Sequence, residues 1–193
     1  MNKLNLVKTK SQSAEKICKY VDLEKTTLPL LKSEQSLSDF IQSLLQNHAL
    51  KDAIGVIAQA LPAREAVYWA SLCVKDILGD KPNLDDANAL RAADQWMVKP
   101  NEDDRYLNLH MAEKLEYATA ASWVANAVFW SGGSITPKGE AKVEAPDGVF
   151  GKAVTGAILL ASAHEDPKQT QNLYQRFIKR GINIAQGGKG DNV

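Results

Sequence analysis

Between Pro62 and Gly79 run sixteen residues with neither glycine nor proline, and apolar side chains fall on more than one face of the helix they can form. Ala66, Trp69, Ala70, Cys73 and Ile77 make one stripe, while Val67, Tyr68, Leu72, Val74 and Leu78 cover much of the remainder. A helix apolar on most sides is not stable at a surface and belongs in the middle of a bundle. Pro62 suits the first helical position, because its fixed φ is already helical and its missing N–H has no intrahelical partner there. Gly79 supplies the left-handed stop. Other helices must therefore surround residues 62–78, and the expected fold is all-α.

The rest of the chain has the pattern to supply them. Alanine, which loses no side-chain entropy in a helix, occurs 25 times in 193 residues. Ile17, Tyr20 and Val21 predict a short helix at 13–21, followed by a polar ordered loop at 22–36. Leu37, Phe40, Ile41, Leu44 and Leu45 have the i, i+3, i+4, i+7, i+8 spacing of an amphipathic helix. Ile54, Ile57, Ala58 and Leu61 repeat it at 50–61, so the two make a helical hairpin. Asn83 and Asn101, each followed by acidic residues, cap two further helices and place negative charge at the positive end of the dipole.

Residues 118–130 are dense in small and aromatic side chains, and Ser131-Gly132-Gly133-Ser134 ends that helix. A surface loop is expected at 135–146, then a buried helix at 148–163 capped by Asp147, then a last helix opened by Asp166-Pro167 and stopped by Gly181. The expectation is one domain, 13–185, of about eight or nine helices in antiparallel pairs. A flexible N-terminus, 1–12, and a flexible tail, 186–193, flank it.

Charge and composition exclude several functions. Lys plus Arg is 23 and Asp plus Glu is 23, so no global field draws the chain to nucleic acid or an anionic membrane. Two cysteines, Cys18 and Cys73, make neither a disulfide framework nor a four-thiolate metal site. No apolar run has the length of a signal peptide, and the apolar stretch 153–163 falls short of the roughly 18 residues that span a bilayer, so a cytoplasmic protein without membrane insertion is expected. His48, His110 and His164 lack ligand-pair spacing and read as surface residues. Ser131 and Ser134 lack the strand-turn-helix setting of a hydrolase nucleophile. Gly187-Gly188-Lys189-Gly190 resembles a phosphate loop in composition alone. No catalytic residue, cofactor or metal ion is assigned.

Candidate binding residues remain. Arg64 and Glu65 fall in the first helical turn, where Glu65 gains from the helix dipole and Arg64 does not, so Arg64 needs a particular partner. A buried or half-buried structural network, with a carboxylate such as Asp94 or a helix-end carbonyl, is the first reading; a ligand or partner site is the second. Trp69, Trp96, Trp123 and Trp130 serve the core unless exposed together, in which case they mark an interaction surface. Arg91 and Arg105 could add charged or cation–π contacts to it.

The segment Leu61-Pro62-Ala63-Arg64-Glu65-Ala66-Val67-Tyr68-Trp69-Ala70, followed by Leu72-Cys73, resembles the signature of an uncharacterised bacterial family with an L-P-x-R-E-A-V-W-W-A-C-L-C-like segment. Ala93-Asp94-Gln95-Trp96, Phe129-Trp130-Ser131-Gly132-Gly133-Ser134 and the segment from Gly181 to Gly187 match in order, so the similarity reaches from about Ala14 onward. It departs at Tyr68, where the family commonly has Trp, and at Ala120, where Pro often opens the helix. Members are encoded at times near components of type VI secretion and similar contractile injection systems. What the resemblance implies is an accessory or adaptor role and not a reaction.

Three functional readings follow. The first is a non-enzymatic interaction domain, an adaptor or chaperone-like factor holding a secretion-system component or effector. The second is a small-molecule-binding or enzymatic helical domain using an Arg64/Glu65 pocket. The third is a structural homo-oligomer subunit.

Overall fold

The computed structural model describes residues 4–137, 139–163 and 166–191. The described residues form nine α-helices and one short 3-10 helix, with no β-strand beyond two isolated bridges. The helices are α1 (Ala14–Cys18), α2 (Leu37–Gln46), α3 (Leu50–Ala60), α4 (Ala63–Leu78), α5 (Leu84–Val98), α6 (Glu102–Lys114), α7 (Ala120–Phe129), α8 (Val149–Ala161) and α9 (Pro167–Ala185). The 3-10 turn, Leu28–Leu30, interrupts the loop before α2.

Local side-chain chemistry sets most of the starts. The hydroxyls of Ser13, Ser36 and Thr119 and the amide oxygens of Asn83 and Asn101 accept from backbone N–H groups in the first turns of α1, α2, α7, α5 and α6. At α7 the bond is reciprocated, since the Ser122 hydroxyl lies within reach of the Thr119 N–H. Asp166 caps α9 and Pro167 opens it. Pro62 stands one position before α4, as its cap, and Gly79 closes that helix with φ 63°.

α4 is central: it packs against α5, α7, α8 and α9. α7 shares the centre, touching α4, α5, α6 and α8, because its small side chains let neighbours approach. α2 and α3 form the expected hairpin, with Leu37, Phe40, Ile41 and Leu44 buried. Trp69 is fully buried, and its indole N–H donates to the Phe177 carbonyl at 2.8 Å.

Three expectations need correction. Gly181 does not stop the last helix; α9 continues to Ala185, and Gly181 instead faces the Trp69 ring. Asp147 does not cap α8, whose N-cap is Gly148 at φ 80° without a side-chain bond. Ile77, read as part of the buried stripe of α4, is 42% exposed. Residues 4–12 and 186–191 lie along the bundle. Leu6 is buried, the N–H of Lys8 donates to Ala185, that of Lys10 to Ala60, and Gly190 is buried.

Candidate functional site

One face of α4 is left partly open beside α5. It carries Arg64, Glu65, Tyr68 and Lys75 along about three turns, and it forms one side of an open groove of about 670 Å³. α5 returns along α4 and supplies Asp94, Met97 and Val98. Lys8 of the N-terminal segment and Ile184, Gly188 and Lys189 at the C-terminal end complete the lining. Val98 is 82% exposed, so an apolar side chain stands in the groove with nothing over it.

The wall formed by Gly188 and Lys189 is held by specific bonds. The Tyr68 hydroxyl donates to the Lys189 carbonyl at 3.0 Å, and the Gly190 N–H donates to Asn183 Oδ1 at 2.8 Å. Arg180 donates through Nε to the Gly190 carbonyl at 3.0 Å and through Nη1 to the Leu72 carbonyl at 3.3 Å. Asp76 accepts ion pairs from both Arg176 (2.9 Å) and Arg180 (3.3 Å). Gly190 adopts φ 74°, a left-handed value that glycine tolerates.

Four cations line the groove against two carboxylates. Lys75 Nζ reaches both oxygens of Asp94 at 2.7 Å, and the Ser71 hydroxyl lies 3.4 Å from one of them. Lys8 pairs with Glu65 at 3.8 Å. Both pairs are partly exposed, so each contributes at most about 1 kcal/mol. Arg64 is exposed and, among the described residues, its guanidinium makes no hydrogen bond or ion pair. The buried network expected for it is absent because Asp94 is already engaged by Lys75 and Ser71. Lys189 accepts from Tyr68 through its backbone carbonyl, and its exposed side chain makes no ion pair among the described residues.

The other candidates are placed elsewhere. Trp69 and Trp96 are core residues. Trp123 is half-buried, donates to the Tyr117 carbonyl at 2.9 Å and lies against Gly156. Trp130 packs edge-on against Phe129. The four indoles therefore do not assemble into one exposed cluster. Arg91 is exposed on α5 and bonded to Asn88.

Arg105 is buried and internal. It donates to the Phe129 carbonyl at the end of α7 (2.9 Å) and to the Ser134 carbonyl (2.6 Å), pairs with Glu102 at 2.7 Å, and stacks on the Tyr106 and Phe129 rings. Burial pushes its guanidinium toward the neutral form, but bonding to Glu102 more than offsets this and leaves its pKa raised. Its bond to Ser134 holds the loop after α7, and its cation–π contacts are made within the chain, to Tyr106 and Phe129.

Sequence reasoning misses Lys8, Tyr68, Lys75, Met97, Val98 and Lys189 as site residues. The signal for Tyr68 and Lys75 was available, since Arg64, Tyr68, Leu72 and Lys75 recur at helical spacing on one face.

Reactive groups do not converge on the groove. Burial, and to a lesser extent Asp52, pushes the Cys18 thiol up to about 12, and burial pushes Cys73 up as well. His48 and His110 are exposed, and His164 lies outside the described residues. Among the described residues no three His, Cys, Asp or Glu side chains are grouped to hold a metal ion, and no helix is long and apolar enough to cross a membrane.

The model of a family of unknown function, DUF6931, matches residues 40–185. The chain belongs to DUF6931. The DUF6931 match runs from Phe40 within α2 to the last residue of α9, so it contains the α4 and α5 sides of the groove. Lys8, Gly188 and Lys189, which complete the groove of this DUF6931 chain, lie beyond the matched segment. No curated protein and no solved structure matches the chain.

Proposed function

We propose that this DUF6931 chain is a non-enzymatic protein-interaction domain, an accessory, adaptor or chaperone-like factor of a bacterial type VI-like secretion system, acting in the cytoplasm. Its partner, a system component or effector, docks in the groove between α4, α5 and the C-terminal segment. The observation that carries this reading is an apolar floor left open beside unpaired charge: Tyr68, Met97 and the 82% exposed Val98, rimmed by Arg64 and Lys189. Protein docking sites combine such an apolar centre with a polar rim. The secretion context rests on the resemblance in the 61–73 segment.

The test places a photo-crosslinking amino acid at Val98 in the native host. One stoichiometric adduct is expected, with none from the same group at Val143, which is exposed on the loop after α7. Labelling at Val98 no stronger than at Val143, under conditions that keep other complexes intact, rejects the reading.

A second reading has one observation in its favour. Glu65 stands in an open concavity, as a small-molecule site at Arg64 and Glu65 requires. The concavity lies beside Tyr68, however, while Trp69 is buried on the opposite side against Phe177. Turnover of a compound by the purified protein, abolished in Glu65→Gln with its melting temperature unchanged, would establish this reading instead.

A further inference from the structure

We infer that the segment this groove receives is acidic: it sets carboxylates against Arg64 and Lys189 and an apolar side chain against Tyr68 and Val98. The inference rests on reading the groove as a docking site. It follows from which charges are already engaged. Glu65 and Asp94 each hold a lysine, Lys8 and Lys75, so the two carboxylates of the lining are neutralised within it. Behind the wall, Arg176 and Arg180 are both paired with Asp76. Arg64 and Lys189, both exposed and both lining the groove, are left with no ion pair among the described residues. The groove thus presents two uncompensated positive charges around an apolar floor in a chain whose overall charge is zero.

Geometry and charge limit the occupant. Arg64 and Lys75 bound the groove along α4, and eleven helical steps at 1.5 Å give a length of roughly 16 Å. About five residues of extended chain fit that length. A guanidinium binds a carboxylate through two parallel bonds, which gives Arg64 a directional role, while the Lys189 ammonium acts as a point charge. A nucleic-acid backbone is a poorer match, since its evenly repeated phosphates call for a continuous run of free cations and only Arg64 and Lys189 of the lining are left unpaired among the described residues.

The experiment measures fluorescence anisotropy with three labelled octapeptides that share two leucines and carry glutamate, glutamine or lysine at the other positions. The full chain should bind the glutamate probe tightest, with affinity falling as salt rises. Arg64→Glu combined with Lys189→Glu should weaken that probe about tenfold and strengthen the lysine probe, since reversing rim charges reverses electrostatic preference. Lys142→Glu, on the exposed loop after α7, should change neither.

The reversal shows that charge at the groove, and not loss of fold, governs the choice. Equal affinity for the glutamate and glutamine probes overturns the acidic assignment while leaving an apolar docking site. So does binding of no probe when Val98 still crosslinks a partner. Tighter binding of a single-stranded oligonucleotide than of the glutamate probe overturns it in favour of nucleic acid. Silence from every probe together with no Val98 adduct removes both the inference and the reading beneath it.

Discussion

The α-carbon of Gly181 lies against the indole of Trp69, so that a β-carbon there would sit 2.7 Å from Cε2 and 2.8 Å from Cζ2. The ring cannot retreat, because it is fully buried and fixed by its bond to the Phe177 carbonyl, and the added carbon would also sit 3.0 Å from Ile57 Cγ2. Gly181→Ala should therefore destabilise the protein by about 1–3 kcal/mol through overpacking. This outweighs the gain of about 1 kcal/mol that alanine brings to a helix interior. Urea denaturation reads the difference, and a variant as stable as the parent would show that α4 and α9 are less tightly joined than this geometry requires.

Arg105 joins α6 to the end of α7 and to the loop beyond it. Arg105→Leu leaves the Phe129 and Ser134 carbonyls without their charged donor, and a loss of about 2–4 kcal/mol is expected. Limited proteolysis should then cut within 135–146 much faster than in the parent. An unchanged cleavage rate would mean that the loop is held by the Tyr106 bonds to Ser134 and Thr136 alone.

The bond from Tyr68 to Lys189 is exposed, so Tyr68→Phe should cost less than about 1 kcal/mol of global stability. Its effect should be local. Amide hydrogen exchange at Lys189 and Gly190 should quicken, and the glutamate probe should bind more weakly because Lys189 is no longer held at the rim. Faster exchange with unchanged probe affinity would remove Lys189 from the binding surface.

Alkaline pH should weaken the fold. Burial raises the Cys18 thiol from near 9 to about 12 and shifts Cys73 and Tyr174 in the same direction. The folded chain thus keeps protons that the unfolded chain releases, so the stabilisation is complete below about pH 9 and is lost as pH rises toward 12. Urea midpoints measured from pH 8 to 11 should fall, and Cys18→Ala should fall less steeply over the same range. Parallel slopes for the two proteins would remove Cys18 as a source of the effect.

Features decided within a few residues were legible before the structure. Asn83, Asn101 and Asp166 act on N–H groups two or three positions away, and the stripe from Leu37 to Leu44 repeats every turn. Features decided across the chain were not. Gly181 reads as a helix stop because nothing near it reveals Trp69, whose bond to Phe177 spans 108 positions. Arg105 reads as a surface residue because its acceptors lie 24 and 29 positions away, on another helix and its loop. Glycines at 187, 188 and 190 suggest a frayed end, yet they permit the turn that brings the Gly190 carbonyl to Arg180. The α4 side of the groove is visible as a polar stripe, but its far wall depends on that return.

The segment around Lys189 touches two helices at once, gripping α4 through Tyr68 and, via Arg180, the Leu72 carbonyl, and α9 through Asn183. A guest lodged against it works like a wedge under a latch. Peeling α9 from the bundle then requires evicting the guest first, so occupancy should raise the melting temperature of the whole domain with ligand concentration. A thermal scan could therefore find the partner before its identity is known.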